Sequence, residues 1–215
     1  MGAIARSAAN NITTSGVFTS SAITNSSVTG ITVLANASDG ITFISSQTAS
    51  NSASISFTTG IDSTYKAYKF VFSSVHPRTD TATFQFNMST DAGSNYNVTK
   101  TSTVFYGAHI EDDSVTALSY DTGADLAQST SFQSLAVGTG SDADQTAVGS
   151  LTIFNPSSTT YVKHYIGTLT SAHEANYSFS WYVGGYGNTT SAINAVRFQF
   201  SSGNFDGTIY MYGIK

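Results

Sequence analysis

Apolar and aromatic residues recur at every second position in three separate stretches: Tyr68-Lys69-Phe70-Val71-Phe72-Ser73, Phe84-Gln85-Phe86-Asn87-Met88 and Val196-Arg197-Phe198-Gln199-Phe200-Ser201. A period of two sends successive side chains to opposite faces of a strand, so each stretch reads as a β-strand with one aromatic face. Between such runs lie turn-forming clusters, among them Asp91-Ala92-Gly93-Ser94-Asn95, Gly138-Thr139-Gly140-Ser141-Asp142 and Ser202-Gly203-Asn204. The pattern predicts strands near 53–58, 65–75, 82–90, 97–106, 131–137, 146–155, 161–170, 177–185, 193–201 and 207–214. Helical periodicity is almost absent. Many short strands with one wet face predict an all-β fold: an antiparallel two-sheet sandwich, jelly-roll-like.

The first 45 residues have a different pattern. They are rich in Ser, Thr, Asn and Ala, with isolated apolar residues and no strong alternation. So little apolar surface does not offset the entropy of ordering a chain segment. Residues 1–45 are therefore read as an extended N-terminal arm for attachment or oligomerisation, and 46–215 as the sandwich domain. Ile12, Val17, Phe18, Ile23, Val28 and Ile31 are the arm's candidate interface residues, since they gain burial only against another surface.

Composition narrows the function. Charged residues make up only 10% of the chain, and the net charge is −5. The eight Lys and Arg residues are scattered, so no basic stripe exists to follow a phosphate backbone, and nucleic acid is not an expected partner. Cysteine is absent, so stability must come without disulfides. No signal-peptide pattern and no long apolar run is present, which predicts cytoplasmic synthesis without membrane insertion.

Catalytic and metal-binding patterns are also missing. His76, His109, His164 and His173 lack the close spacing of a zinc site. The acidic groups at 111–113, 121/125 and 142/144 lie in loops without an EF-hand pattern and read as solvated charge. Glu111 and Glu174 are the only glutamates, and no Gly-x-Ser-x-Gly elbow occurs. No enzyme, metal or cofactor is expected.

One stretch has binding potential. In Tyr177-Ser178-Phe179-Ser180-Trp181-Tyr182, alternation sends Tyr177, Phe179 and Trp181 to one face and Ser178, Ser180 and Tyr182 to the other. If the first set faces the core, Tyr182 and Tyr186 become candidates for stacking on sugar rings. The simpler reading is a core strand followed by a glycine turn.

Three stretches also carry a family resemblance: SSQTASNSASISFTTGIDSTYKAYKFVFSSVHPRTDTATFQFNMSTDAGSNYNVTK, LTIFNPSSTTYVKHYIG and AVRFQFSSGNFDGTIYMYGIK. Together they resemble a family of small structural proteins of tailed bacteriophages. The resemblance implies a virion protein, either a head decoration or cement protein or a tail fibre or spike, whose partners are other virion proteins. A carbohydrate-binding, receptor-recognition module with a host-surface glycan as partner is the alternative. Few charges and two prolines are available to guard sheet edges. That scarcity predicts a closed symmetric homo-oligomer, with a trimer favoured. The last strand, 207–214, is apolar or aromatic on both faces and is expected to be central in a sheet or buried between subunits.

Overall fold

A computed structural model describes residues 40–215. The interface candidates Ile12, Val17, Phe18, Ile23, Val28 and Ile31 lie outside the described residues, as does the arm up to residue 39. The regular elements described are all strands: β1 (Ile41–Ser52), β2 (Ile55–Phe57), β3 (Ala67–Pro77), β4 (Ala82–Ser89), β5 (Lys100–Ile110), β6 (Thr116–Tyr120), β7 (Gln133–Thr139), β8 (Ala147–Phe154), β9 (Lys163–Ala172), β10 (Tyr177–Gly187), β11 (Ala195–Phe200) and β12 (Phe205–Ile214).

They form two antiparallel sheets, one of eight strands in the order β1-β12-β3-β8-β9-β10-β5-β6 and one of four in the order β2-β11-β4-β7. Eight strands pair as a folded ribbon: β1 with β12, β2 with β11, β3 with β8 and β4 with β7. The chain therefore wraps as nested antiparallel pairs divided between two sheets, which is the jelly-roll winding. Two hairpins depart from it. β5–β6 leaves between β4 and β7, β9–β10 leaves between β8 and β11, and together they extend the larger sheet beyond β8.

Alternation decides what lies between the sheets. Phe70 and Phe72 of β3 meet Phe57 of β2, Phe84 and Phe86 of β4, and Phe198 and Phe200 of β11, all buried. Phe198 sits at the centre. Its ring lies 5.1–6.4 Å, centroid to centroid, from those of Phe57, Phe70, Phe72, Phe84 and Phe86. β12, between β1 and β3, buries Phe205, Ile209 and Met211, so this doubly apolar strand occupies an interior position in its sheet.

The register of the larger sheet shifts at a bulge where β3 has Ser74 in the left-handed region, with φ of 51°. Gly207 faces that point with φ of 128°, and a β-carbon there would fall 2.6 Å from the Ser74 carbonyl oxygen. A side chain is excluded at Gly207 by both backbone conformation and close approach.

Two strands were not anticipated. Residues 41–45, read as the end of the arm, belong to β1, whose side chains are mostly polar and, apart from Ala49, exposed or half-buried. β6 is exposed at all five positions. Both are edge strands held by backbone pairing to one neighbour, so neither needs the alternating apolar residues that mark a core-facing strand.

Candidate functional site

Trp181 and Val183 of β10 point into the core, which turns Tyr182, Gly184 and Tyr186 outward. The register of β10 with β5 and β9 then fixes a three-by-three grid on the outer face. Tyr182 lies between Phe105 and Thr168, Gly184 between Thr103 and Ile166, and Tyr186 between Thr101 and His164. The central position has no side chain. Its absence leaves a groove of about 480 Å³, lined on the outer face by Thr101, Thr103, His164, Ile166 and Tyr186.

Beside the groove lies an aromatic pair. Tyr182 and Phe105, each 43% exposed, stack with rings 4.9 Å apart and 8° from parallel. That separation matches the spacing of neighbouring strands, roughly 4.7–4.9 Å, so the two rings stand upright side by side. One face of Tyr182 is covered by Phe105; the other turns toward β9. On that side a second hollow of about 180 Å³ is lined by Val148, Thr168, Thr170, Ser180 and Tyr182. Ile166, 57% exposed, borders the first hollow, and the His164 and Tyr186 rings lie 5.9 Å apart at its far end. No Lys, Arg, Asp or Glu lines either hollow.

The floor is held from beneath. Tyr165, buried under Gly185, donates a hydrogen bond to Gln133 Oε1 (3.1 Å), and Gln133 Nε2 donates to the Ala124 carbonyl (3.0 Å). The two neighbouring glycines have opposite tolerances. A β-carbon on Gly185 would meet the Thr101 carbonyl oxygen at 2.6 Å and Tyr165 Oη at 2.7 Å, whereas one on Gly184 would meet only Thr103 Oγ1 at 3.8 Å. We expect Gly185→Ala to destabilise the fold by about 1–3 kcal/mol through overpacking, and Gly184→Ala to change it by less than about 1 kcal/mol. Thermal melting of the two variants checks this; equal melting temperatures would contradict the assigned register.

A second feature lies on the core side at the end of the same strands. Gly187 is paired with Lys100 on one side and Lys163 on the other, and both lysines are fully buried. Lys100 Nζ donates to Asn87 Oδ1 (2.6 Å) and to the Val98 carbonyl (2.7 Å), with no carboxylate among its partners. Burial holds its pKa down at about 7. Lys163 Nζ donates to the carbonyls of Tyr161 (2.6 Å) and Thr189 (3.3 Å), and burial lowers its pKa as well. Asn87 Nδ2 donates to the carbonyls of Tyr96 and Thr130. These amines and the amide tie the loops at this end of the sandwich to strand ends.

The other sequence candidates remain dispersed. His76 Nδ1 sits 2.6 Å from the Gln145 carbonyl, His109 pairs with Asp113, and His173 Nδ1 accepts from the Ala175 amide. Asp112 and Asp121 cap their own turns, and Asp125 accepts from Tyr120. Among the described residues, no group of three or more metal-ligating side chains converges.

Tyr182 and Tyr186 thus share one face, as alternation required, with Tyr182 exposed and Tyr186 half-buried. Phe105, Ile166, Thr168 and Gly184 escaped the sequence reading because their neighbourhood is set by cross-strand register. One signal was available: Tyr182-x-Gly184-x-Tyr186 places a residue without a side chain between two aromatics at period two.

Fold and face together define a jelly-roll sandwich, enlarged by two hairpins, with an uncharged aromatic groove on its outer surface. No protein-family model, curated protein or solved structure matches the chain.

Proposed function

We infer that the chain is a non-enzymatic structural component of a tailed-phage particle, displayed on its surface as a symmetric oligomer. The observation that carries this reading is the unguarded edge of the larger sheet. β6 has no charge, no proline and no bulge, and Leu118 on it is 81% exposed. A strand in that condition invites pairing with another chain, and proteins that remain monomeric usually block it. Leu118 and Tyr120 share the outer face with Phe105, so a neighbouring subunit at this edge covers apolar surface as well as backbone groups. The sequence resemblance to phage structural proteins supports location in a particle, as head decoration or tail component, with the residues ahead of β1 as the attachment segment.

Light scattering of the full chain at micromolar concentration is expected to give a closed oligomer, a trimer in the first instance, that Leu118→Lys dissociates. Antibody labelling of intact particles is expected to find the chain on their surface. A monodisperse monomer absent from particles would overturn the reading.

A second reading, recognition of a host-surface glycan, is favoured by the groove over Gly184. It is compatible with display.

A further inference from the structure

We propose, resting on the glycan-recognition reading, that the outer face of β9, β10 and β5 binds a neutral oligosaccharide, seated along two hollows, one over Gly184 and one beside Tyr182. The site is defined by a missing side chain. Gly184 leaves a depression one residue wide between Tyr182 and Tyr186, and its backbone has no need of glycine, since a β-carbon there has only Thr103 Oγ1 within 4 Å. Neither strain nor close packing accounts for the gap, whereas Gly185 next to it is explained by both the Thr101 carbonyl and Tyr165. The gap is therefore space left on the surface, not space taken by the fold.

Its lining selects the ligand class. A pyranose ring has a patch of axial C–H groups, which packs on an aromatic face, and a rim of hydroxyls, which require hydrogen-bond partners. Tyr182 supplies the face: Phe105 stacks on one side of it and fixes the ring upright, leaving the other side toward Thr168. Ile166 adds an exposed apolar surface, and Thr168, Thr170 and Ser180 add hydroxyls. The absence of Lys, Arg, Asp and Glu from both linings favours a neutral sugar over an ionic one. From Ser180 to Tyr186 the two hollows together span about 20 Å along β10, at roughly 3.4 Å per residue, which exceeds a single sugar ring and calls for a chain of several. The floor, held by the Tyr165–Gln133 hydrogen bond, is formed before any ligand arrives, which keeps the ordering cost of binding low.

The test uses the full chain and isothermal titration with hexasaccharides of β1,4-linked glucose, N-acetylglucosamine and mannose, with heparin fragments as the anionic comparison. At least one neutral hexasaccharide is expected to bind. Gly184→Val, which fills the depression, and Tyr182→Ala, which removes the stacking face, are each expected to weaken that binding about tenfold or more. Melting temperatures near that of the parent protein identify the variants as folded, and because Tyr182 is exposed its truncation leaves the core intact. Binding unchanged in both variants would overturn the proposal. Heparin bound in preference to every neutral sugar, or no binding by any of the three at millimolar concentration, would overturn it equally. None of these outcomes depends on particle location, so the saccharide site and the display role stand or fall separately.

Discussion

Truncating Phe198 to alanine is expected to cost about 3–5 kcal/mol, a large part of the roughly 5–15 kcal/mol that holds a typical domain together. The reason is position. Phe198 lies on β11 of the smaller sheet, has no solvent exposure, and packs against five other phenylalanine rings, two of them on β3 of the opposite sheet. Its removal therefore opens a cavity bounded by both sheets. Phe57, Phe84 and Phe86 are fixed by their own strands, which keeps the surroundings from collapsing into the space. Phe105→Ala is the comparison: equal in chemistry but at an exposed position, it should cost less than about 1 kcal/mol. Urea unfolding of both variants measures the difference, and a cost below about 1.5 kcal/mol for Phe198→Ala would place the centre of the core elsewhere.

Stability should also rise as pH is raised from 7 toward 10, against the usual expectation of a maximum near neutrality. Lys100 is responsible. In the unfolded chain its amine titrates near 10.4, but in the folded protein burial without a counter-charge brings the value to about 7. Between those two values the unfolded state binds more protons, so each step up in pH favours the folded state. Below pH 7 both states are protonated and the full burial penalty applies. The whole effect is on the order of 3–5 kcal/mol, and Lys163, shifted in the same direction, adds to it. Tyr68 and Tyr165 oppose it above pH 10, because burial raises their pKa values and ionising the unfolded chain then competes with folding.

Lys100→Met should flatten this profile and be neutral to about 4 kcal/mol stabilising at pH 7, since it replaces a buried unpaired charge by a side chain of similar length. Asn87 Oδ1 still accepts from the Met88 amide in that variant, so the exchange leaves it satisfied. Denaturant titrations at pH 7, 8, 9 and 10 provide the comparison. Parallel curves for the two proteins would remove Lys100 as the cause.

The sequence by itself determined the fold class and ten of the twelve strands, because a strand that buries one face must alternate and the aromatic residues make that alternation plain. It also determined that Trp181 and Tyr182 lie on opposite faces of β10, and the tertiary structure decided that Trp181 is the one inside. The tertiary structure decided the rest, and for one physical reason. Alternation records the face on which a side chain lies but carries no information about which strand lies beside it. The nested pairing of β1 with β12 through β4 with β7, the placement of β9, β10 and β5 side by side, and the grid around Gly184 all depend on partners 60 or more residues apart in some pairs, as with Tyr182 and Phe105. Lys100 and Lys163 are the sharpest case. In the sequence they are two scattered charges in a polar chain; in the fold, pairing on either side of Gly187 takes both amines out of water, and neighbouring carbonyls and one amide replace the solvent they lose.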